Sequence, residues 1–200
     1  LDLSDGSLFT LSIVVAASCL VFGLGLPTSA SYFIVALFGA PALIDLGVPL
    51  LAAHLFVFYF ANLSAITPPV AVAALVGANI AKANFWGSSF SAVRLALPGF
   101  LLPFLFLFKP EILGLAGSIG GQFLAIAQVL IATAALNFAL EARIFKRVSI
   151  IERLILALAA LGLLYWDPWV ETISLSIIFV ISVLNWSMNK RARHNLENGT

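Results

Sequence analysis

Apolar residues run along this chain in stretches at 8–22, 32–44, 48–66, 69–81, 95–108, 112–140, 150–166 and 169–187, and nearly all charges fall between or beyond them. The runs are long and show no alternation of period two, so they predict helices rather than barrel strands. Two interruptions stand out: Gly23-Leu24-Gly25-Leu26-Pro27-Thr28 and Ile66-Thr67-Pro68-Pro69. Composition adds the solvent. At 62% hydrophobic and 10% charged, with a mean hydropathy of +1.11, the chain falls far below the roughly one quarter of charged residues usual in soluble domains. Lipid is the expected medium, and all-α integral membrane the expected class.

Charge placement predicts a topology. Lys82, Arg94, Arg143, Lys146, Arg147, Arg153, Lys190, Arg191 and Arg193 occupy three inter-helix or terminal segments, which the positive-inside rule makes cytoplasmic. Asp2, Asp5, Asp45, Glu111, Asp167 and Glu171 then lie outside, with Trp166 and Trp169 at an interface. Asp5 and Asp45 share the outer side although two apolar stretches separate them. Each stretch is shorter than the roughly 20 residues of a crossing helix. A re-entrant hairpin over 7–46, with its tip near the Gly-Pro break, satisfies both facts.

From Gly47 to Lys82 runs one inward crossing, too long for a straight helix and interrupted at the prolines. This predicts a discontinuous helix over 48–82. A helix over 90–108 returns outward, and residues 111–200 supply further transmembrane helices with a polar cytoplasmic tail from Asn189. Residues 1–6 contain neither an initiator Met nor a basic leader and read as a loop between spans, so the chain is expected to begin mid-protein. Cys19, the lone cysteine, reads as packing.

Irregular backbone at membrane depth leaves N–H and C=O groups unpaired, and it persists where protein, ion or substrate satisfies them. At the hairpin tip Gly23 and Gly25 permit unusual backbone angles, Pro27 ends one helix, and Thr28 and Ser29 suit the start of the next. The second break repeats this grammar: Ser64, then Thr67 as an N-cap with Pro68 and Pro69 in the following first turn. Half-helix N-termini favour a carboxylate, and freed carbonyls favour sodium. The bland reading is that Pro-Pro is a kink and Gly/Pro an ordinary loop; two such breaks within one short region favour a transporter.

Asn62 offers an amide oxygen one turn before Thr67, or a bond to a neighbouring helix. His54 and Tyr59 suit hydrogen bonding within the bundle better than proton carriage. Gln122, Gln128, Thr133 and Asn137 read as inter-helix contacts. No Asp or Glu lies within a span, which argues for sodium over proton coupling. Nothing resembles a nucleic-acid patch, and no His/Cys spacing suggests a metal centre or cofactor site. Two rival classes remain: a structural membrane subunit with mere kinks, and an intramembrane enzyme, which lacks convergent acid–base groups.

The blocks Gly23-Leu24-Gly25-Leu26-Pro27-Thr28-Ser29-Ala30-Ser31-Tyr32, Ala40-Pro41-Ala42-Leu43, Ala52-Ala53-His54-Leu55-Phe56-Val57-Phe58-Tyr59-Phe60 and Ser64-Ala65-Ile66-Thr67-Pro68-Pro69-Val70-Ala71 occur in order. Together they resemble the large permease subunit of tripartite ATP-independent periplasmic (TRAP) transporters, in the branch where small and large membrane subunits are fused. The resemblance covers about residues 20 to 110. It implies an elevator-type symporter of two inverted repeats in a bacterial or archaeal inner membrane, using a sodium gradient to import an organic acid such as a C4-dicarboxylate. A periplasmic binding protein would deliver the acid, and a small membrane subunit would accompany the permease.

Carried over by position, Gly23, Gly25, Pro27, Thr28, Ser29, Asn62, Ser64, Thr67 and Pro68 are the candidate sodium and substrate residues. Backbone and hydroxyl oxygens of Gly25, Thr28 and Thr67 are the expected sodium ligands. With one hairpin and one broken helix, residues 1–110 would form one repeat, the C-terminal one, and an upstream permease half would supply the other. No nucleic-acid partner is expected.

Overall fold

The structure, a computed structural model, describes residues 7–141, 149–163 and 167–197. Every regular element among them is helical: α1 (Leu8–Phe22), α2 (Thr28–Ala36), α3 (Gly39–Asp45), α4 (Leu50–Leu63), α5 (Val72–Ala81), α6 (Phe85–Phe108), α7 (Ile119–Glu141), α8 (Ile150–Leu163) and α9 (Pro168–Glu197). The all-α membrane class follows from their chemistry. Phe85–Phe108, Ile119–Glu141 and Pro168–Asn185 are each long and apolar enough to cross a bilayer. Large apolar side chains such as Phe90, Phe123, Leu130 and Phe179 are exposed along them, as lipid permits. The chain divides into two compact units, one through Phe123 and one from Leu124.

In the first unit α4 is the central element and packs on α1, α2, α3 and α6. Its buried residues Ala52, Ala53, Phe56, Val57, Phe60 and Ala61 recur at helical spacing. The small alanines admit close neighbours, while Phe56 and Phe60 anchor an aromatic cluster with Phe104, at centroid distances of 5.4 and 5.6 Å. Tyr59 meets Phe106 edge-on at 5.9 Å. Such pairs add about 0.5–1.5 kcal/mol each beyond area burial and hold α4 to α6.

The first arm of the hairpin is α1, 15 residues long and too short to cross hydrocarbon alone. The second arm, read from the sequence as one helix, is two: α2 and α3 meet at a bend of 43°. Pro41 is the physical cause, because it has no N–H for the Leu37 carbonyl and its ring crowds that carbonyl. The Phe38 amide turns back to Val35 at 3.2 Å, and the helix restarts at Gly39. A Cβ on Gly39 would sit 2.8 Å from Val15 Cγ1, so glycine lets α3 close on α1.

Helix ends follow local chemistry. α6 opens at Phe85, ahead of the 90–108 read from hydropathy, because Asn84 Oδ1 accepts from the Gly87 amide at 3.0 Å. Residues 112–118, read as the start of the next span, instead complete a 3-10 turn over Pro110–Leu113 and a loop through Gly114 (φ 72°) and Gly117 (φ 77°). In the second unit Asp167 Oδ1 accepts from the amides of Trp169 and Val170 at 2.9 and 3.3 Å, and Pro168 occupies the first turn of α9. α9 then runs to Glu197, into the segment read as a polar tail, since neither Gly nor Pro interrupts residues 169–197. Of the charges used for topology, Asp2, Asp5, Arg143, Lys146 and Arg147 lie outside the described residues, as does Trp166.

Candidate functional site

The hairpin tip is built by glycine. α1 ends as the Gly23 amide donates to Cys19 O at 2.9 Å and the Leu24 amide to Val21 O at 3.2 Å. Gly25 takes the left-handed conformation, φ 76°, that L side chains resist. Pro27 is extended at φ −57° and ψ 143°, and α2 starts at Thr28 with no side-chain cap. Thr28 is half-buried; Pro27 and Ser29 are exposed.

The second break differs from its sequence reading. α4 tightens into a 3-10 turn over Ser64–Ile66, and Thr67 is extended at φ −92°, ψ 124°. Thr67 does not cap the next helix: its Oγ1 donates back to Leu63 O at 2.7 Å and closes the first half. Nor do the prolines enter the next helix. A residue before proline is pushed out of the α region, so Pro68 holds Thr67 extended, and the chain turns over residues 68–70 before the next helix forms. The Pro68–Pro69 bond is cis, and α5 begins only at Val72, after Ala71 at φ 39° and ψ 54°.

These two irregular segments touch. The buried Ser64 hydroxyl donates to Ala61 O at 2.6 Å and to Gly23 O at 3.2 Å, one hydrogen shared between its own helix and the hairpin tip. A Cβ on Gly23 would collide with the Ser64 hydroxyl and come within 2.8 Å of Cys19 O. A Cβ on Gly25 would lie 3.6 Å from Val70 Cγ1. The tip therefore lies against the break on both sides of Thr67. Gly23, Gly25 and Ser64 are brought together, with Thr67 and Pro68 between the two contacts and Thr28 and Ser29 following along the chain.

Asn62 stands apart from this contact: it is exposed on α4, and its amide nitrogen donates to Phe58 O at 2.9 Å. His54 and Tyr32 share a 2.9 Å hydrogen bond that joins α4 to α2. Cys19 is fully buried. Of the four polar residues read as inter-helix contacts, Gln128 is one, donating to Glu171 Oε2 at 2.8 Å. Gln122 donates to Ala116 O, while Thr133 and Asn137 bond carbonyls of their own helix.

Sequence reasoning missed Ser31, which is fully buried. Its only signal was position: with Val35, one turn on, it forms the buried face of α2. The electrostatics are neutral throughout. Between Asp5 and Lys82 the sequence holds a single formal charge, Asp45. Among the described residues no three His, Cys, Asp or Glu gather into a cluster. A ligand here would meet hydroxyls, carbonyls and helix ends, a weak field suited to one monovalent ion or one carboxylate rather than a divalent metal.

Residues 1–116 match the family described as "Tripartite ATP-independent periplasmic transporter, DctM component". No curated protein and no solved structure matches the chain.

Proposed function

Because the chain belongs to the DctM component family of tripartite ATP-independent periplasmic transporters, whose business is secondary transport, we propose that its joined breaks form half of a sodium-coupled centre for uptake of an organic acid. The observation that carries this reading is the bond from Ser64 to Gly23, which sets two irregular backbones side by side in an apolar stretch whose single formal charge between Asp5 and Lys82 is Asp45. Unpaired backbone is costly in lipid, and a shared ligand offsets that cost for both segments at once.

In this reading oxygens of Gly25, Thr28 and Thr67 take sodium, and Ser29 and Pro68 border the same centre. Ser64 ties the two segments together through its hydrogen, which two carbonyls engage, and its oxygen lone pairs stay open to the same centre. Asn62 serves the substrate only through its amide oxygen. A second inverted repeat supplies the other half of the centre, and the hairpin-bearing domain carries it across the membrane as a rigid body.

A periplasmic binding protein and further membrane subunits accompany permeases of this family in general. The organic acid, its delivery by such a protein, and an inner-membrane setting with a cytoplasmic C-terminus are our proposals for this chain. Transport by movement asks for no covalent chemistry, so the chain acts as a carrier and not as an enzyme.

The deciding experiment is uptake into proteoliposomes holding the full-length permease, its small subunit and its binding protein, with labelled dicarboxylates, keto acids, sugar acids and amino acids as probes. Uptake of one class should depend on an inward sodium gradient. Equal uptake when potassium replaces sodium would overturn sodium coupling. Absence of uptake for every class, with the binding protein shown to be loaded, would overturn the transport reading itself.

A further inference from the structure

We infer that Ser31, on the inner face of the hairpin, is a ligand of the coupling cation; the inference rests on the sodium reading above and adds to it a residue outside the two breaks. Ser31 is fully buried, and its hydroxyl has no hydrogen-bond partner. Its position makes this conspicuous. Four other hydroxyls of this unit return to a carbonyl three or four residues back: Ser12 to Phe9 at 2.7 Å, Ser18 to Val14 at 2.8 Å, Thr67 to Leu63 at 2.7 Å and Ser89 to Phe85 at 2.9 Å. Ser31 has the same option in Pro27 O, which its own amide reaches at 3.1 Å, and its hydroxyl does not take it. A buried hydroxyl kept off its own backbone is a donor and acceptor held for something else.

What it is held for follows from its surroundings. Val35, one turn on, faces inward beside Val15, since a Cβ on Gly39 would contact both. Ser31 shares that buried face and lies one turn from Pro27 at the tip, where α2 packs on α1 and α4. The tip holds the carbonyl end of α1 and the Gly23 and Ser64 oxygens, and no carboxylate stands between Asp5 and Asp45. A small monovalent cation is the species that gathers neutral oxygens from a hydroxyl and helix-end carbonyls. An anion would need several donors, and Ser31 supplies one.

The test uses purified full-length permease in lipid nanodiscs, with sodium chloride alone as the probe and potassium chloride as the control. Sodium-dependent thermal stabilisation gives a half-saturating concentration. Ser31→Ala should raise it about tenfold, on the order of the loss of one ligand oxygen, with the melting temperature in potassium unchanged or higher. The isosteric pair Ser31→Thr and Ser31→Val repeats the comparison if the alanine variant fails to fold: Thr, which keeps the oxygen, should respond like the parent protein, and Val should not. Equal sodium responses in parent and alanine variants, or in the Thr and Val variants, would overturn the inference and leave the sodium reading standing. A parent protein that sodium does not stabilise would remove the sodium reading, and this inference with it.

Discussion

The two units of this chain treat polar groups in opposite ways. From Leu124 onward the helices are regular, and side chains answer the polar needs. Arg153 Nε and Nη2 donate to Ala139 O and Leu140 O at 2.7 and 3.3 Å, covering the carbonyl end of α7 with a cation, and Gln128 joins α7 to α9. Gly162 lets α8 close on Ser174 of α9, where a Cβ would come within 2.6 Å of Oγ. Before Phe123 the backbone is broken at Gly23–Pro27, at Phe38 and at Thr67–Ala71, and one of these breaks is tied to another. Polar groups serve packing in the second unit; in the first, irregular backbone is maintained at a cost. This difference is the ground on which we propose the first unit as the seat of the transport centre.

The most severe way to break this contrast is to wedge the joined breaks apart. Gly23→Ala places a methyl against Ser64 and against Cys19 O, and overpacking of this kind costs about 1–3 kcal/mol. Uptake should be abolished and the melting temperature lowered. Ser64→Gly removes the side chain the methyl strikes, so the double variant should recover part of both losses. Strict additivity in a double-mutant cycle would show that the contact is not the one described.

A smaller change removes only the bond. Ser64→Ala deletes the donor to Gly23 O, at about 1 kcal/mol, and should lower uptake while the protein still folds. Ser89→Ala is the matched control, since Ser89 is buried and bonds Phe85 O within its own helix. If the two variants transport equally well, the tether between the breaks has no functional weight.

Thr67 and Thr133 allow a finer comparison, because both hydroxyls bond the carbonyl four residues back, at 2.7 and 2.8 Å. Their replacement by Ala should therefore cost the fold alike. Thr67→Ala should raise the sodium needed for half-maximal uptake about tenfold, a shift of roughly 1.4 kcal/mol, and Thr133→Ala should leave it in place. Equal sodium curves would remove Thr67 from the site.

How much of this was legible in the sequence depends on the range of the interaction. Glycine and proline act locally, so both breaks and the Asp167-Pro168 helix start could be read from residue type. The bend at Phe38 also has a local cause, Pro41, but it was hidden inside an apolar run that hydropathy treats as continuous. The role of Thr67 was misjudged because a threonine before proline satisfies both a forward cap and a backward bond, and only the turn that follows it, which delays the next helix to Val72, decides between them. Ser64 and Gly23 are 41 residues apart, and no local rule sets that register. Ser31 was invisible for a related reason: burial of a hydroxyl without a partner is a property of the packed helices and not of its neighbours in sequence.

The mildest expected effect on transport lies in the second unit. Gln128→Leu removes the donor to Glu171, a polar contact between membrane helices worth about 1 kcal/mol, and substitutes an apolar side chain of similar size. The melting temperature should fall slightly, while the sodium and substrate concentrations for half-maximal uptake stay as in the parent protein. Side-chain contacts between regular helices support a fold, and the fold survives the loss of one. Should Gln128→Leu change the sodium requirement as much as Thr67→Ala, the second unit would share in the coupling site. The division between a broken functional unit and a regular supporting one would then be lost.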